Sequence, residues 1–121
     1  MKSLHMIFLL GAMLTSGQAL AHEDEPSHGG RLVDAGNYHV ELVISGARAD
    51  VYISDGAGKA LPARGFKGTA LLVANGKPLR IVLEPADQKL SGTSDTPLPP
   101  DAKGVVRLIT PDGKTAQGQF K

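Results

Sequence analysis

Short runs that alternate apolar and polar residues, separated by glycine-rich turns, are the feature of this sequence that most limits its fold. From Tyr38 to Ile44, every second residue is apolar, and His39, Glu41 and Val43 fall on the opposite face of an extended chain. A period of two residues predicts a β-strand with one face buried. No window beyond the N-terminal region has helical periodicity, so the sequence predicts an all-β domain.

Six further runs have the same character, at residues 51–54, 67–74, 78–84, 89–92, 105–110 and 114–120. Asn75-Gly76 is typical of a type I′ hairpin turn, and Asp112-Gly113 marks a second hairpin. About seven short strands at this spacing predict a small immunoglobulin-like β-sandwich, with a small barrel as the alternative. The expected core residues are Val40, Leu42, Ile44, Val51, Ile53, Leu71, Val73, Leu79, Ile81, Leu83, Val106, Leu108 and Phe120.

The N-terminal residues have the three parts of a secretory signal peptide. Lys2 supplies the positive charge, an apolar run extends from Met6 to Leu14, and Ala19-Leu20-Ala21 is an A-x-A cleavage site. The apolar run is about half of the ~20 residues that a membrane span needs. We therefore expect cleavage after Ala21, a periplasmic location and no membrane span in the mature chain. A buried N-terminal helix is the alternative, which this order of features disfavours.

Cleavage would divide the chain into a signal peptide (1–21), a flexible N-terminal arm rich in His and acidic residues (22–36) and a β-sandwich domain (37–121). The mature chain has the length of one domain. The sequence has no cysteine, and its three methionines all lie before residue 22. Any transition-metal site must therefore use imidazole, carboxylate, backbone or the free amine.

Charge and motifs exclude several classes of function. Without Lys2, twelve basic residues stand against twelve acidic ones, scattered along the chain, which is unlike a nucleic-acid-binding face. No Gly-x-Ser-x-Gly elbow or phosphate-binding loop is present, and Ser27-His28 lacks an orienting carboxylate. His39-x-Glu41 is not the helical metalloprotease motif. Copper oxygenases begin with a chelating histidine but are generally larger and have aromatic substrate platforms. We therefore do not expect an enzyme.

The arm contains the residues best suited to bind a metal. After cleavage His22 is the first residue, and its α-amine and ring Nδ1 together can chelate Cu(II), Ni(II) or Zn(II). His28 would add a nitrogen and residues 23–25 an oxygen. His39 and Glu41 project from one face of a strand. If the arm folds back over this strand, His22, His28, His39 and Glu41 converge on one divalent transition-metal ion. The alternatives are a solvated tail and an ordinary polar sheet surface.

Three motifs carry a resemblance to a family: His28-Gly29-Gly30-Arg31, the run 38–43 and the run 51–55. They resemble small periplasmic proteins encoded with heavy-metal efflux systems, and the N-terminal segment of the adaptor (membrane fusion) subunits of cation-efflux pumps. The resemblance covers about residues 28–85. It implies a β-rich domain that binds or chaperones a divalent metal, with His28 and His39 at matching positions and metal-efflux components as partners. The helical hairpin and lipoyl regions of a pump adaptor are missing. His22 is also similar to the first residue of periplasmic copper carriers.

The expected function is therefore divalent-metal binding in the periplasm, of Cu(II), Zn(II), Ni(II) or Co(II), for metal resistance or delivery. Capture needs unprotonated imidazole, so affinity should fall below about pH 6. The alternative is a β-sandwich interaction module that meets a protein partner through a sheet edge or loop, without a metal role. A carbohydrate- or peptide-binding sandwich is a third possibility, and the scarcity of aromatic residues counts against sugars.

Overall fold

The structure is a computed structural model that describes residues 25–121, and this part of the chain contains strands and turns only. The proposed signal peptide and His22 lie outside the described residues. The nine strands are β1 (Arg31–Ala35), β2 (Tyr38–Ser45), β3 (Arg48–Ser54), β4 (Ala60–Leu61), β5 (Lys67–Ala74), β6 (Lys77–Ala86), β7 (Lys89–Thr93), β8 (Lys103–Ile109) and β9 (Thr115–Phe120). The prediction of an all-β domain is confirmed. The described residues include no helix that could cross a membrane.

The strands form one continuous antiparallel sheet in the order β1-β2-β3-β7-β6-β5-β8-β9, and β4 pairs with β3. Strand β7 joins the group β1-β2-β3 to the group β6-β5-β8-β9, because it pairs with β3 on one side and with β6 on the other. The ends of this path lie against each other, since a Cβ on Gly118 in β9 would come within 2.8 Å of Cγ2 of Val33 in β1. The sheet is therefore nearly barrel-shaped. The expected division into the two sheets of an immunoglobulin-like sandwich is corrected accordingly.

The turn between β5 and β6 shows how local sequence sets the strand pairing. Asn75 and Gly76 both have positive φ, 56° and 77°, as a type I′ turn requires. The turn places Ala74 opposite Lys77 and fixes the register of the long β5–β6 pair. The hairpin predicted at this position is confirmed.

The core is a single cluster inside the curved sheet, and one strand differs from the prediction. On β5 the buried apolar side chains are those of Ala70, Leu72 and Ala74, whereas Leu71 and Val73 face solvent. This part of β5 is apolar on both faces, so alternation does not define which face is buried, and pairing with β6 and β8 decides it. The other expected core residues are buried or pack partly buried against the core: Val40, Leu42, Ile44, Val51, Ile53, Leu79, Ile81, Leu83, Val106, Leu108 and Phe120.

Strand β1 occupies part of the range 22–36 that the sequence assigns to a flexible arm. It pairs antiparallel with β2, with Val33 opposite Val40 and Asp34 opposite His39. A strand of five residues is too short for alternation to stand out, and its order comes from the ladder with β2 and from contact with β9. The assignment of residues 31–35 to a flexible segment is therefore corrected.

Candidate functional site

The carboxylate of Glu41 is buried in the middle of β2, beneath the segment that precedes β1. Glu41 is only 3% exposed. Its oxygens accept hydrogen bonds from the backbone amides of Ser27, His28 and Gly30, at 3.2, 2.9 and 2.8 Å. Nδ1 of His28 lies 2.9 Å from Oε1 of Glu41, so the expectation that Ser27-His28 lacks an orienting carboxylate is wrong. The segment 27–30 therefore folds back over β2, and these contacts satisfy a carboxylate that burial would otherwise leave unpaired.

Two glycines allow the chain to approach β2 this closely. Gly29 has a φ of +78°, in the left-handed region that residues with a Cβ rarely adopt. A Cβ on Gly30 would lie 2.3 Å from the carbonyl oxygen of Leu42. Arg31 follows and donates a hydrogen bond of 2.7 Å from its guanidinium to the carbonyl of Ala102. The motif at residues 28–31 thus has a structural role, which is to hold this segment against the sheet.

The pKa of Glu41 lies below its ordinary value. Burial by itself raises this pKa, because it penalises the charged form. The hydrogen bond with the His28 side chain and those from the backbone amides of Gly30 and His28 act in the opposite direction, and together they outweigh burial. Glu41 is therefore a carboxylate at neutral pH, which suits it to accept a hydrogen bond from an imidazole.

The imidazole of His28 is held on two sides. Its ring stacks on the ring of Tyr52, with centroids 3.6 Å apart and planes 5° from parallel. Tyr52 is in place because it lies opposite Glu41 in the β2–β3 ladder. Nδ1 faces Glu41, so Nε2 is the ring nitrogen that can meet a ligand. The His28 side chain keeps 43% of its surface exposed, so a ligand can reach the ring from solvent.

His39 lies two residues before Glu41 on β2, opposite Ser54 of β3. Its Nδ1 is 2.9 Å from Oδ1 of Asp34, but the N–H direction does not meet the requirement for a hydrogen bond. It is the one buried side-chain nitrogen or oxygen within residues 25–121 that lacks a hydrogen-bond partner. The carboxylate of Asp34 is therefore the neighbour that this buried nitrogen faces.

A cleft of about 450 Å³ connects these residues, and we call it the His28 cleft. Its walls come from the segment before β1, from β1 to β4, and from two turns. They comprise Glu25, Ser27, His28, Leu32, His39, Glu41, Tyr52, Ile53, Ser54, Ala57, Gly58, Ala60, Leu61 and Gln88. The structure thus brings His28, His39 and Glu41 to one cleft. However, residues 25–121 contain no group of three or more His, Cys, Asp or Glu side chains placed to hold a metal ion together.

Two features of the cleft were not anticipated from the sequence. One is Tyr52, whose position beside His28 depends on the pairing of β2 with β3. The other is the role of Glu41, whose oxygens are occupied by amide and imidazole nitrogens. The side-chain pattern does not reveal this role, because a polar residue between buried neighbours is ordinary in a strand with one buried face.

No family model, curated protein sequence or solved structure matches this chain.

Proposed function

We propose that this chain is a periplasmic protein that reversibly binds a divalent transition-metal ion, for metal resistance or delivery, with His28 as the central ligand. The observation that carries the proposal is the 2.9 Å contact between Nδ1 of His28 and Oε1 of Glu41. Metal-binding histidines almost always donate their second ring N–H to a carboxylate, carbonyl or water, which fixes the tautomer and raises the basicity of the ligating nitrogen. With Nδ1–H directed at Glu41, Nε2 carries the lone pair.

The residues of the cleft would have different roles in binding the metal. Glu41 orients His28 and is not itself a ligand, because its oxygens already accept the bonds from Ser27, His28 and Gly30. His39 lines the same cleft and would supply a second imidazole. These two imidazoles make an incomplete site, and His22 with its α-amine would complete it once the signal peptide is removed. Nitrogen ligands of this kind suit Cu(II), Zn(II), Ni(II) and Co(II).

The test is to express the full chain, purify it from the periplasm and titrate it with Cu(II) and Zn(II) at pH 7.4. Intact mass spectrometry gives the first residue of the purified protein and the number of ions bound. The chain has two tyrosines and no tryptophan, so its fluorescence comes from Tyr38 and Tyr52. Because Tyr52 stacks on His28, a Cu(II) ion on that ring should quench the emission at a ratio of one ion to one chain.

Replacing His28 by Ala should lower the affinity at least tenfold, whereas Gln119→Ala, at an exposed site on β9, should leave it unchanged. His22→Ala should also weaken binding. Acidification from pH 7.4 to 5 should release the ion, because protons compete for imidazole. Equal affinity of the wild type and the His28→Ala protein would refute the proposal.

A further inference from the structure

In the described part of the chain, the exposed large apolar side chains lie on strands that contribute no residue to the walls of the His28 cleft. Within residues 25–121, the large apolar side chains with the greatest exposure are Leu71, Val73, Val82 and Ile109, at 37%, 44%, 53% and 43%. All four lie on the adjacent strands β6, β5 and β8. Isolated exposed apolar residues are ordinary, but a contiguous apolar patch typically marks a binding surface.

Basic residues stand between these apolar ones in the sheet. Thr69 lies opposite both Val82 and Arg107, and Leu71 lies opposite Arg80. Lys67 lies opposite Ile109. The surface that we call the basic-apolar face therefore consists of Lys67, Thr69, Leu71 and Val73 of β5, Arg80 and Val82 of β6, and Arg107 and Ile109 of β8. A groove of about 550 Å³ runs across it, lined by Lys67, Thr69, Arg80, Val82, Arg107 and Ile109 among others.

The cations of this face have no acidic partners in the described part of the chain. None of Lys67, Arg80 and Arg107 takes part in an ion pair there. Glu84 is the single acidic residue that lines the groove. Arg107 makes only a long hydrogen bond of 3.4 Å, from Nε to the side chain of Gln117. Three unpaired cations around apolar side chains are complementary to a partner that carries both carboxylates and apolar groups.

We propose that the basic-apolar face docks an extended acidic segment of another protein, in which every second residue faces the sheet and these facing residues are alternately apolar and Asp or Glu. This pattern matches the surface, because only every second side chain of an extended segment faces the sheet: among those, the apolar residues would enter the groove between Val82 and Ile109 while the carboxylates reach Arg80 and Arg107. A second copy of this chain would set like charges against each other across a two-fold axis. A lipid surface is disfavoured because the face has no aromatic anchor. Nucleic acid would meet Glu84 and the apolar groups.

The test uses the full chain purified from the periplasm and a synthetic octapeptide of the sequence Val-Ser-Glu-Ser-Val-Ser-Glu-Ser, which carries Val and Glu on the same face. Binding is followed by NMR titration of the ¹⁵N-labelled protein in 50 mM salt. Amide shifts should be confined to β5, β6 and β8, and affinity should fall about tenfold or more when salt is raised to 300 mM. The matched Val and Lys octapeptide should not bind.

Variants locate the contact. Arg80→Glu combined with Arg107→Glu should weaken peptide binding at least tenfold, and Val82→Thr combined with Ile109→Thr should weaken it several-fold. The control reverses two exposed charges elsewhere, Arg64→Glu and Lys121→Glu, and should have little effect. Copper binding should stay unchanged in all of these proteins.

The proposal is overturned by any of four results. These are no shifts with the acidic peptide, equal binding of the lysine peptide, shifts that map outside the three strands, or full affinity in the Arg80→Glu, Arg107→Glu protein. Binding only to vesicles of anionic phospholipid, only to duplex DNA, or only to itself in sedimentation would overturn it in favour of that partner.

Discussion

The ring of His28 lies flat on the ring of Tyr52, with 3.6 Å between centroids. The stack couples a residue of the segment before β1 to the middle of β3, and it limits rotation of the imidazole whose Nδ1 faces Glu41. Restricting a ligand before an ion arrives lowers the entropy cost of binding. The aromatic ring should therefore contribute to metal affinity without touching the metal.

Replacing Tyr52 by Ala should weaken Cu(II) binding by about 2- to 12-fold, because an aromatic pair of this kind contributes about 0.5–1.5 kcal/mol. Tyr52→Phe keeps the ring and should bind as the wild type does. Isothermal titration calorimetry distinguishes the two variants. If both lose affinity equally, the phenol group and not the stack would be responsible.

Replacing Glu41 by Gln should lower the free energy of unfolding by about 2–4 kcal/mol, because one carboxamide oxygen cannot serve all the donors that meet the carboxylate. The new amide group would also face N–H donors. Urea denaturation measures the change. Glu84→Gln, at an exposed position on β6, is the matched control and should shift stability by less than about 0.5 kcal/mol.

The free energy of unfolding should fall on acidification, over a pH range that the pKa of Glu41 determines. The folded pKa of this group lies below the ordinary value near 4.5, so the unfolded chain binds more protons as the pH falls through this range. The contribution of Glu41 is complete above about pH 4.5 and is lost as the pH drops through its folded pKa. The pKa values of Asp55 and Asp112 are lowered as well, chiefly by hydrogen bonds from the Lys59 amide and the Thr110 hydroxyl.

Unfolding curves of the wild type and Glu41→Gln between pH 7 and 3 isolate the contribution of Glu41. The difference between the two proteins should be constant near neutral pH and shrink below pH 4.5. A difference that stays constant down to pH 3 would show that the Glu41 carboxylate has no preferred charge state in the fold.

Gly30→Ala should detach the segment before β1 from the sheet, because its Cβ would overlap the Leu42 carbonyl oxygen at 2.3 Å. We expect a loss of about 1–3 kcal/mol of stability, typical of overpacking, and a weaker metal site. Gly56→Ala is the control, since its Cβ would make an ordinary contact of 3.5 Å with the Asn37 carbonyl. Thermal melts and Cu(II) titration should separate the two proteins.

Several elements of the fold could be predicted from local sequence, and others depend on the partners of each strand. The Asn75-Gly76 turn and the alternation in β2 act locally, so they identified a hairpin and a strand. The buried face of β5 did not follow from sequence, because Leu71, Leu72 and Val73 are all apolar and only pairing distinguishes them. Closure of the sheet was unpredictable for a related reason, since alternation does not show that β7 bridges β3 and β6.

Some features of the candidate site also follow from local sequence, whereas others depend on how the strands pair. That His39 and Glu41 share a face follows from their spacing, and the glycines after His28 allow the preceding segment to bend. The burial of Glu41 follows from the backbone amides that cover it, and a side-chain pattern contains no information on those. The position of Tyr52 needed the register of β2 against β3, which no short motif encodes.

The contact between β1 and β9 has a consequence for how the molecule associates. These strands meet through side chains, including Arg31, which lies 5.4 Å from the ring centroid of Phe120, and the sheet path gives them no ladder in common. Opening this junction would cost apolar and cation–π contacts but would break no main-chain ladder. Both strands would then present free amide and carbonyl groups to a neighbouring molecule. Strand exchange between molecules at high concentration should therefore start at this junction, before it reaches strands that are paired on both sides.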